Sequence, residues 1–352
     1  MEKECLILGG LVPDIYYRVD SWPQRGQDGF LSGEEVKAGG CAVNMAVTAE
    51  NLGLRAHVVS CVGNDDTAAM LRKYLKAHGL SERFIMAAAE ASGKCFVFVE
   101  PDGERTFLTC KGAEGLFPPS LADEIKKELS ASDASDKTGR MSADASDGIR
   151  KRRFAAAGVT GYYLLNDDAE RIMDVIEELA AAGTKILFDP SPLAGSIRPD
   201  LLERMFAVSD IMTPNLTELG ILEQTTGRPQ GFFTGGADGA GGWTAGRTER
   251  PAGAKTRSAG KDRILIVKEG AEGGTVFYDG GSFRYEAEKC HAADTTGAGD
   301  SFSGALLYGM TQEMDIREAV RLAARCAAKT VSFVGPHGFW KAEDVTGGKD
   351  DR

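Results

Sequence analysis

The chain has 352 residues, 42% of them hydrophobic, and a net charge of -11 from 41 Lys and Arg against 52 Asp and Glu. That length holds one large domain with an elaboration, or two units, and the apolar content can bury a substantial core. The acidity argues against nucleic acid or an anionic membrane surface as partners, and no apolar run approaches the roughly 20 residues of a membrane span.

Met1-Glu2-Lys3-Glu4-Cys5 runs straight into a strand and lacks the layout of a signal peptide, so a cytoplasmic protein is expected. The seven cysteines, at 5, 41, 61, 95, 110, 290 and 326, are scattered and form no Cys-x-x-Cys. Neither a zinc site nor a disulfide framework is expected from them. Cys5–Gly10 reads as a buried first strand, and Asp14–Asp20 as a strand with one exposed face. Cys41–Leu52 is a predicted helix stopped by Gly53, His57–Gly63 a strand, and Asp66–His78 an amphipathic helix ended by Gly79. Lys94–Glu100, the turn Pro101-Asp102-Gly103 and Glu104–Cys110 predict a β-hairpin.

From Gly158 onward strands and helices alternate. The predicted elements are a helix over Ala169–Ala182, a strand over Lys185–Asp189, a helix over Pro199–Val208, a strand over Asp210–Thr213, a helix over Leu216–Gln224 and a strand over Ile264–Lys268. Helices over Asp300–Met310 and Ile316–Phe333 follow. Such alternation predicts a mostly parallel sheet covered on both faces. Two segments break the order: Ser130–Arg150, rich in Ser, Ala and Asp, and Gly231–Asp262, rich in Gly, Ala, Arg and Thr. Both are predicted to be mobile surface insertions. Gly253-Ala254-Lys255-Thr256 lacks the spacing of a P-loop, and no strand is followed by a convincing Gly-x-Gly-x-x-Gly, which disfavours a nicotinamide-dependent dehydrogenase. The four histidines form no cluster, and His291 is expected in a strand.

Asp294-Thr295-Thr296-Gly297-Ala298-Gly299-Asp300-Ser301-Phe302 carries the most chemistry. Gly297, Ala298 and Gly299 leave backbone N–H groups uncovered where a helix begins, with the positive end of its dipole behind them. That is a site for an anion, best read as phosphate. Asp300 puts a carboxylate at its rim, which suits a base taking a proton from a hydroxyl that attacks the anion. Gly-Ala-Gly-Asp by itself fits a capped helix start equally well.

The full run resembles, at every specified position, the second signature of the PfkB family of carbohydrate kinases, the ribokinase-like enzymes. The resemblance implies that Asp300 is the catalytic base and that Gly297, Ala298 and Gly299 form the anion hole. Gly39-Gly40-Cys41-Ala42-Val43-Asn44-Met45-Ala46, with Gly53 and Gly63 downstream, resembles the family's first signature. It implies that Gly39, Gly40 and Asn44 meet the sugar. Gly9-Gly10-Leu11-Val12-Pro13-Asp14 is similar to the family's N-terminal segment, in which the aspartate equivalent to Asp14 binds substrate hydroxyls. Pro214-Asn215-Leu216-Thr217-Glu218 resembles the family's Asn-x-x-Glu motif, which implies Mg²⁺ and phosphate handling, with Glu218 reaching Mg²⁺ through water. A capping box explains the same two residues. Val267–Gly274 is similar to the nucleotide loop, which puts Lys268, Gly270 and Gly273 beside ATP, although a tight glycine turn reads as well. Asp294 and Thr296 resemble positions that bind a monovalent cation, K⁺, in ribokinase; loop hydrogen bonding is the alternative.

The family's fold implies a doubly wound α/β domain from residues 1–11, 38–93 and 112–352, with a small β-sheet lid from 12–37 and 94–111. Such a lid excludes water as it closes, and its exposed sheet edge favours pairing into a homodimer. The function implied is ATP-dependent phosphorylation of a hydroxyl, a primary one, on a small sugar. Cys41-Ala42-Val43 departs from the residues typical of ribokinases at that place and lowers the case for ribose itself. A nucleoside kinase of the same family is the first alternative, with Tyr16, Tyr17, Trp22 or Phe30 stacking on a base. A phosphosugar acceptor would call on Arg105 or Lys111. A catalytically silent sugar-binding regulator is the reading from another class.

Overall fold

The structure is a computed structural model that describes residues 3–134, 154–235, 243–245, 263–279 and 281–346. In chain order, β1 (Glu4–Leu8) leads into β2 (Val12–Val19) and β3 (Leu31–Gly39), then α1 (Cys41–Asn51), β4 (Arg55–Val62), α2 (Asp66–Ala77) and β5 (Ser81–Ala87). The hairpin β6 (Lys94–Val99) and β7 (Arg105–Cys110) precedes α3 (Pro119–Ala134). The alternating half runs β8 (Phe154–Thr160), α4 (Ala169–Ala181), β9 (Lys185–Asp189), α5 (Pro199–Val208), β10 (Ile211–Met212), α6 (Leu216–Thr225) and β11 (Ile264–Lys268). It closes with β12 (Gly274–Tyr278), β13 (Gly281–Tyr285), α7 (Ala298–Gln312), α8 (Ile316–Val331) and the short α9 (Glu343–Thr346).

Two sheets result. The larger has the order β13-β12-β11-β10-β9-β8-β1-β4-β5 and is parallel from β11 to β5, with β12 and β13 added antiparallel. The smaller has the order β3-β2-β6-β7. A mostly parallel sheet needs apolar cover on both faces. One face is filled by Val43, Met45, Leu71, Leu306 and Leu307 from α1, α2 and α7, the other by Leu121, Ile125, Ile172, Ile176, Leu202 and Leu222 from α3 to α6. Strand order reverses between β1 and β8, and in sheets of this kind ligands bind beyond the carboxyl ends of the strands at such a point.

Helices α1 and α7, which carry the two sequence signatures, cross at close range. A Cβ at Gly304 would collide with the carbonyl oxygen of Met45, so only glycine permits this approach. Thr48 Oγ1 and Thr330 Oγ1 donate to Ser301 Oγ at 3.0 and 2.9 Å and tie α1 and α8 to α7. Among the described residues no helix is long and apolar enough to cross a membrane.

The structure corrects three expectations. The predicted mobile insertion over Gly231–Asp262 contains Phe233 and Trp243, both 0% exposed, and Trp243 Nε1 donates to Phe206 O at 3.1 Å. Its Gly- and Ala-rich composition hid two core aromatics, and the remainder of the segment lies outside the described residues. The other predicted insertion begins inside α3, whose Leu121 and Ile125 supply helical apolar spacing ahead of it; 135–150 lie outside the described residues. His291 lies in irregular chain between β13 and α7 and is exposed, rather than in a strand.

Candidate active site

The Asp294–Asp300 run forms the loop entering α7 and the helix's first turn. Gly297 adopts φ 76°, and a side chain there would strike the carbonyl of Pro336, so this turn requires glycine. No side chain caps α7, which leaves first-turn N–H groups facing outward. Ala298 N–H donates to Thr295 O at 3.3 Å, so the free amides centre on Gly299 and Asp300.

Asp300 is held from α1: Asn44 Nδ2 donates to Asp300 Oδ2 at 2.7 Å, and the Cys41 thiol donates to the same carboxylate. Burial pushes the carboxyl up to about 6; Asp189 adds to the rise, while Asn44, Cys41 and Lys268 oppose it. Asp14, on β2, is 7% exposed and is pushed up to about 7 by burial and by the negative charge of Asp300, against a hydrogen bond from Cys95. Its carboxylate lies against Gly39, where any side chain would overlap it. Gly40 caps α1 at φ 95°. The N-terminal segment and the two sequence signatures thus bring Asp14, Gly39, Gly40, Asn44 and Asp300 together.

The nucleotide candidates converge from the other side. Lys268 Nζ pairs with Asp189 Oδ2 at 3.0 Å, and a Cβ built on Gly299 would lie 3.3 Å from that nitrogen. The ammonium therefore stands beside the Gly297–Gly299 loop. Burial pulls its pKa down, but the Asp189 and Glu218 carboxylates outweigh that, and it stays charged. Asn215 and Glu218 make the reciprocal capping box of α6, Glu218 N to Asn215 Oδ1 and Asn215 N to Glu218 Oε2, both at 2.8 Å. Glu218 is 4% exposed, and burial raises its pKa, with Asp189 adding to the rise. Gly270 and Gly273 bound the short turn between β11 and β12, and a Cβ at Gly273 would strike the carbonyl of Tyr285.

Asp294, 2% exposed, has both carboxylate oxygens engaged. Oδ1 accepts from Thr296 N and pairs with Arg105 of β7 at 2.9 Å each, and Oδ2 accepts from Gly335 N at 2.9 Å. Thr296 Oγ1 is buried without a protein partner.

Sequence reasoning missed Asp189, Arg105 as a partner of Asp294, and His337. Asp189 was legible as an acid at the carboxyl end of a predicted strand, where such sheets place ligands. It accepts from Lys268 Nζ, Thr213 Oγ1 and Ser303 Oγ. Among the described residues no three His, Cys, Asp or Glu side chains converge as a direct metal cage.

Comparison with known proteins bears on this geometry. The model of the pfkB family carbohydrate kinases matches residues 5–341. An uncharacterized sugar kinase of Escherichia coli (strain K12), YegV, is 27% identical, covering 95% of this chain and 90% of its own. The nucleoside kinase of Burkholderia thailandensis in complex with inosine superposes with a TM-score of 0.70 at 20% identity, covering 98% of this chain and 100% of its own. The ribokinase of Arabidopsis thaliana complexed with ribose and ATP gives 0.67 at 18%, covering 95% and 94%. The chain belongs to the pfkB family of carbohydrate kinases and is a phosphotransferase acting on a sugar hydroxyl.

Proposed function

We propose that this protein transfers the γ-phosphoryl group of ATP to a hydroxyl, a primary one, of a small neutral sugar, with Asp300 as general base. The observation that carries the reading is the Asp300 carboxyl, raised to about 6, at the uncapped start of α7 with the Lys268 ammonium alongside. A base with a pKa just below neutrality is ionised at working pH yet accepts a proton readily. As the hydroxyl oxygen attacks the γ-phosphorus and the bond to ADP breaks, its proton passes to Asp300. The free amides at the start of α7, centred on Gly299 and Asp300, and the Lys268 ammonium face the charge on the transferring group, with Ala298 N–H held by Thr295 O.

Asp14 and Asn44 suit the acceptor: a carboxylate accepts from neighbouring hydroxyls, and an amide both donates and accepts. Tyr16 Oη and Arg105 Nε are buried without protein partners, and a polyol would supply them. Two of the aromatic residues considered for stacking on a base, Tyr17 and Trp22, favour the sugar over a nucleoside. Tyr17 and Trp22 pack on Phe98, with ring centroids 6.0 and 5.3 Å apart, and Tyr17 points to the opposite face of its strand from Asp14 and Tyr16. A phosphorylated acceptor is disfavoured because Arg105 is spent on Asp294 and Lys111 Nζ donates to Leu165 O at 3.2 Å.

Mg²⁺ fits Glu218 and Asp189, hard oxygen donors that share a buried setting with one lysine; it would be carried on the nucleotide phosphates and reached through water. It supplies neutralisation of phosphate charge when bound. K⁺ does not fit Asp294 and Thr296 as arranged, since the Asp294 carboxylate already faces a guanidinium. A homodimer is supported by the outer face of the smaller sheet, where Val36, Ile15, Phe96 and Leu108 form an apolar row in register across its four strands.

ADP release from Mg-ATP across pentoses, hexoses, sugar acids, sugar phosphates and nucleosides tests the reading. Turnover confined to neutral sugars supports it. Turnover confined to nucleosides or phosphosugars refutes the acceptor assignment, and no turnover with ATP still bound points to the silent regulator.

A further inference from the structure

The loop Gly335–Phe339 reaches the base through a chain of hydrogen bonds. His337 Nδ1 meets Asn44 Oδ1 at 2.7 Å, Asn44 Nδ2 donates to Asp300 Oδ2 at 2.7 Å, and Tyr74 Oη meets His337 Nε2. The loop is fixed on both sides: Asn51 Nδ2 donates to Gly338 O at 2.9 Å, and Phe339 stacks on His78 with ring centroids 4.0 Å apart.

We infer that His337 is a positioning residue which fixes the Asn44 amide so that its NH₂, and not its oxygen, faces the base. The inference rests on Asp300 being that base. An ionised carboxylate only accepts, so the Asn44 atom against it must be the donor Nδ2. Asn44 Oδ1 then faces His337, whose Nδ1 must carry the proton. In a neutral ring this leaves the Nε2 lone pair to accept from the Tyr74 hydroxyl. Burial, with His78 and Lys37 nearby, lowers the His337 pKa to about 4, so the ring stays neutral while the enzyme works. Every member of the chain has one direction, and that direction stabilises ionised Asp300. The reverse setting, with Asn44 Oδ1 toward Asp300, requires a proton on the carboxyl and disables the base.

The groups facing Asp300 are Cys41 and Asn44 of α1, Asp14 of β2, Asp189 at the end of β9, Lys268 of β11, and Tyr162. Of these, Asn44 hydrogen-bonds His337, so a change at 337 reports through the amide.

The test is the pH dependence of kcat at saturating sugar and Mg-ATP, where bound acceptor covers Asp14. For His337→Leu the acid limb is expected to move up by about one pH unit, tenfold in proton affinity, as the donor to the carboxylate is lost. His337→Asn keeps a donor at the Nδ1 position and is expected to return the limb to the wild-type position. Tyr74→Phe shifts it the same way as Leu but less, and carries the test should His337→Leu fail to fold. A limb in His337→Leu or Tyr74→Phe that coincides with wild type overturns the inference, as does an Asn variant displaced as far as Leu. Asp300→Asn run alongside separates the two claims. Normal turnover by that variant removes the base itself, whereas a dead variant with an unmoved His337→Leu limb removes only the role of His337.

Discussion

Asp300→Asn is expected to gain stability at alkaline pH while losing activity. Folding raises the Asp300 pKa from the ordinary 3.8 to about 6, through burial first and then Asp189. A group with a raised folded pKa stabilises fully below its unfolded pKa, and that contribution is lost as pH rises through the folded value. The wild-type protein therefore gives up about 3 kcal/mol between pH 4 and pH 8 on account of this one carboxyl, at about 1.4 kcal/mol per unit. Asparagine has the same shape, does not ionise and still offers an oxygen to Asn44 Nδ2, and the folded value of about 6 already includes that hydrogen bond. The net gain at pH 8 is therefore about 3 kcal/mol. With an unfolding entropy of about 2 cal/mol/K per residue, that raises Tm by about 4 °C. Thermal unfolding of both proteins at pH 5 and pH 8 measures it: the variant's advantage should be largest at pH 8 and about half as large at pH 5. A variant less stable than wild type by the same amount at both pH values would refute the claim that ionised Asp300 is held at a cost.

Other outcomes follow from the same geometry. The kcat of the wild-type enzyme should fall as pH drops through about 6, because the base must be unprotonated; a flat rate from pH 8 to pH 5 contradicts this. Lys268→Met should raise the KM for ATP and, by stranding the buried Asp189 carboxylate, destabilise the fold by about 3 kcal/mol in urea unfolding. Turnover should be the same in K⁺ and in choline salts, since Arg105 already neutralises Asp294, whereas Arg105→Ala should raise the KM for the sugar; a strong K⁺ requirement in the wild type would contradict the pairing. Val36→Glu with Leu108→Glu should yield a monomer in sedimentation with its kinase chemistry retained, and an unchanged sedimentation coefficient would place any dimer elsewhere.

The legible parts of the sequence were those in which spacing is the signal. Gly39, Gly40 and Gly297 mark backbone that no other residue could take, and the helices after them follow from apolar periodicity. Asp14, Asn44 and Asp300 lie in the same motifs, so their convergence could be anticipated although they are far apart in the chain. Long-range pairings left no local trace. Arg105 meets Asp294 across 189 positions, and His337 meets Asn44 across 293. Neither neighbourhood betrays its partner. Composition misled at Gly231–Asp262, where Phe233 and Trp243 are core residues set among glycine and alanine. The strand β5 and the β12–β13 hairpin escaped because short strands at a sheet edge carry weak alternation. Asn215 and Glu218 show the opposite ambiguity, a motif whose local structural reason is complete without any ligand.

The claim that Asp300 is the base of a phosphoryl transfer is tested most directly by comparing wild type with Asp300→Asn on the best sugar acceptor, with kcat and the ATP dissociation constant measured on the same preparations. The account predicts a kcat lower by at least about a hundredfold with ATP affinity unchanged. Near-normal turnover by the variant would contradict it.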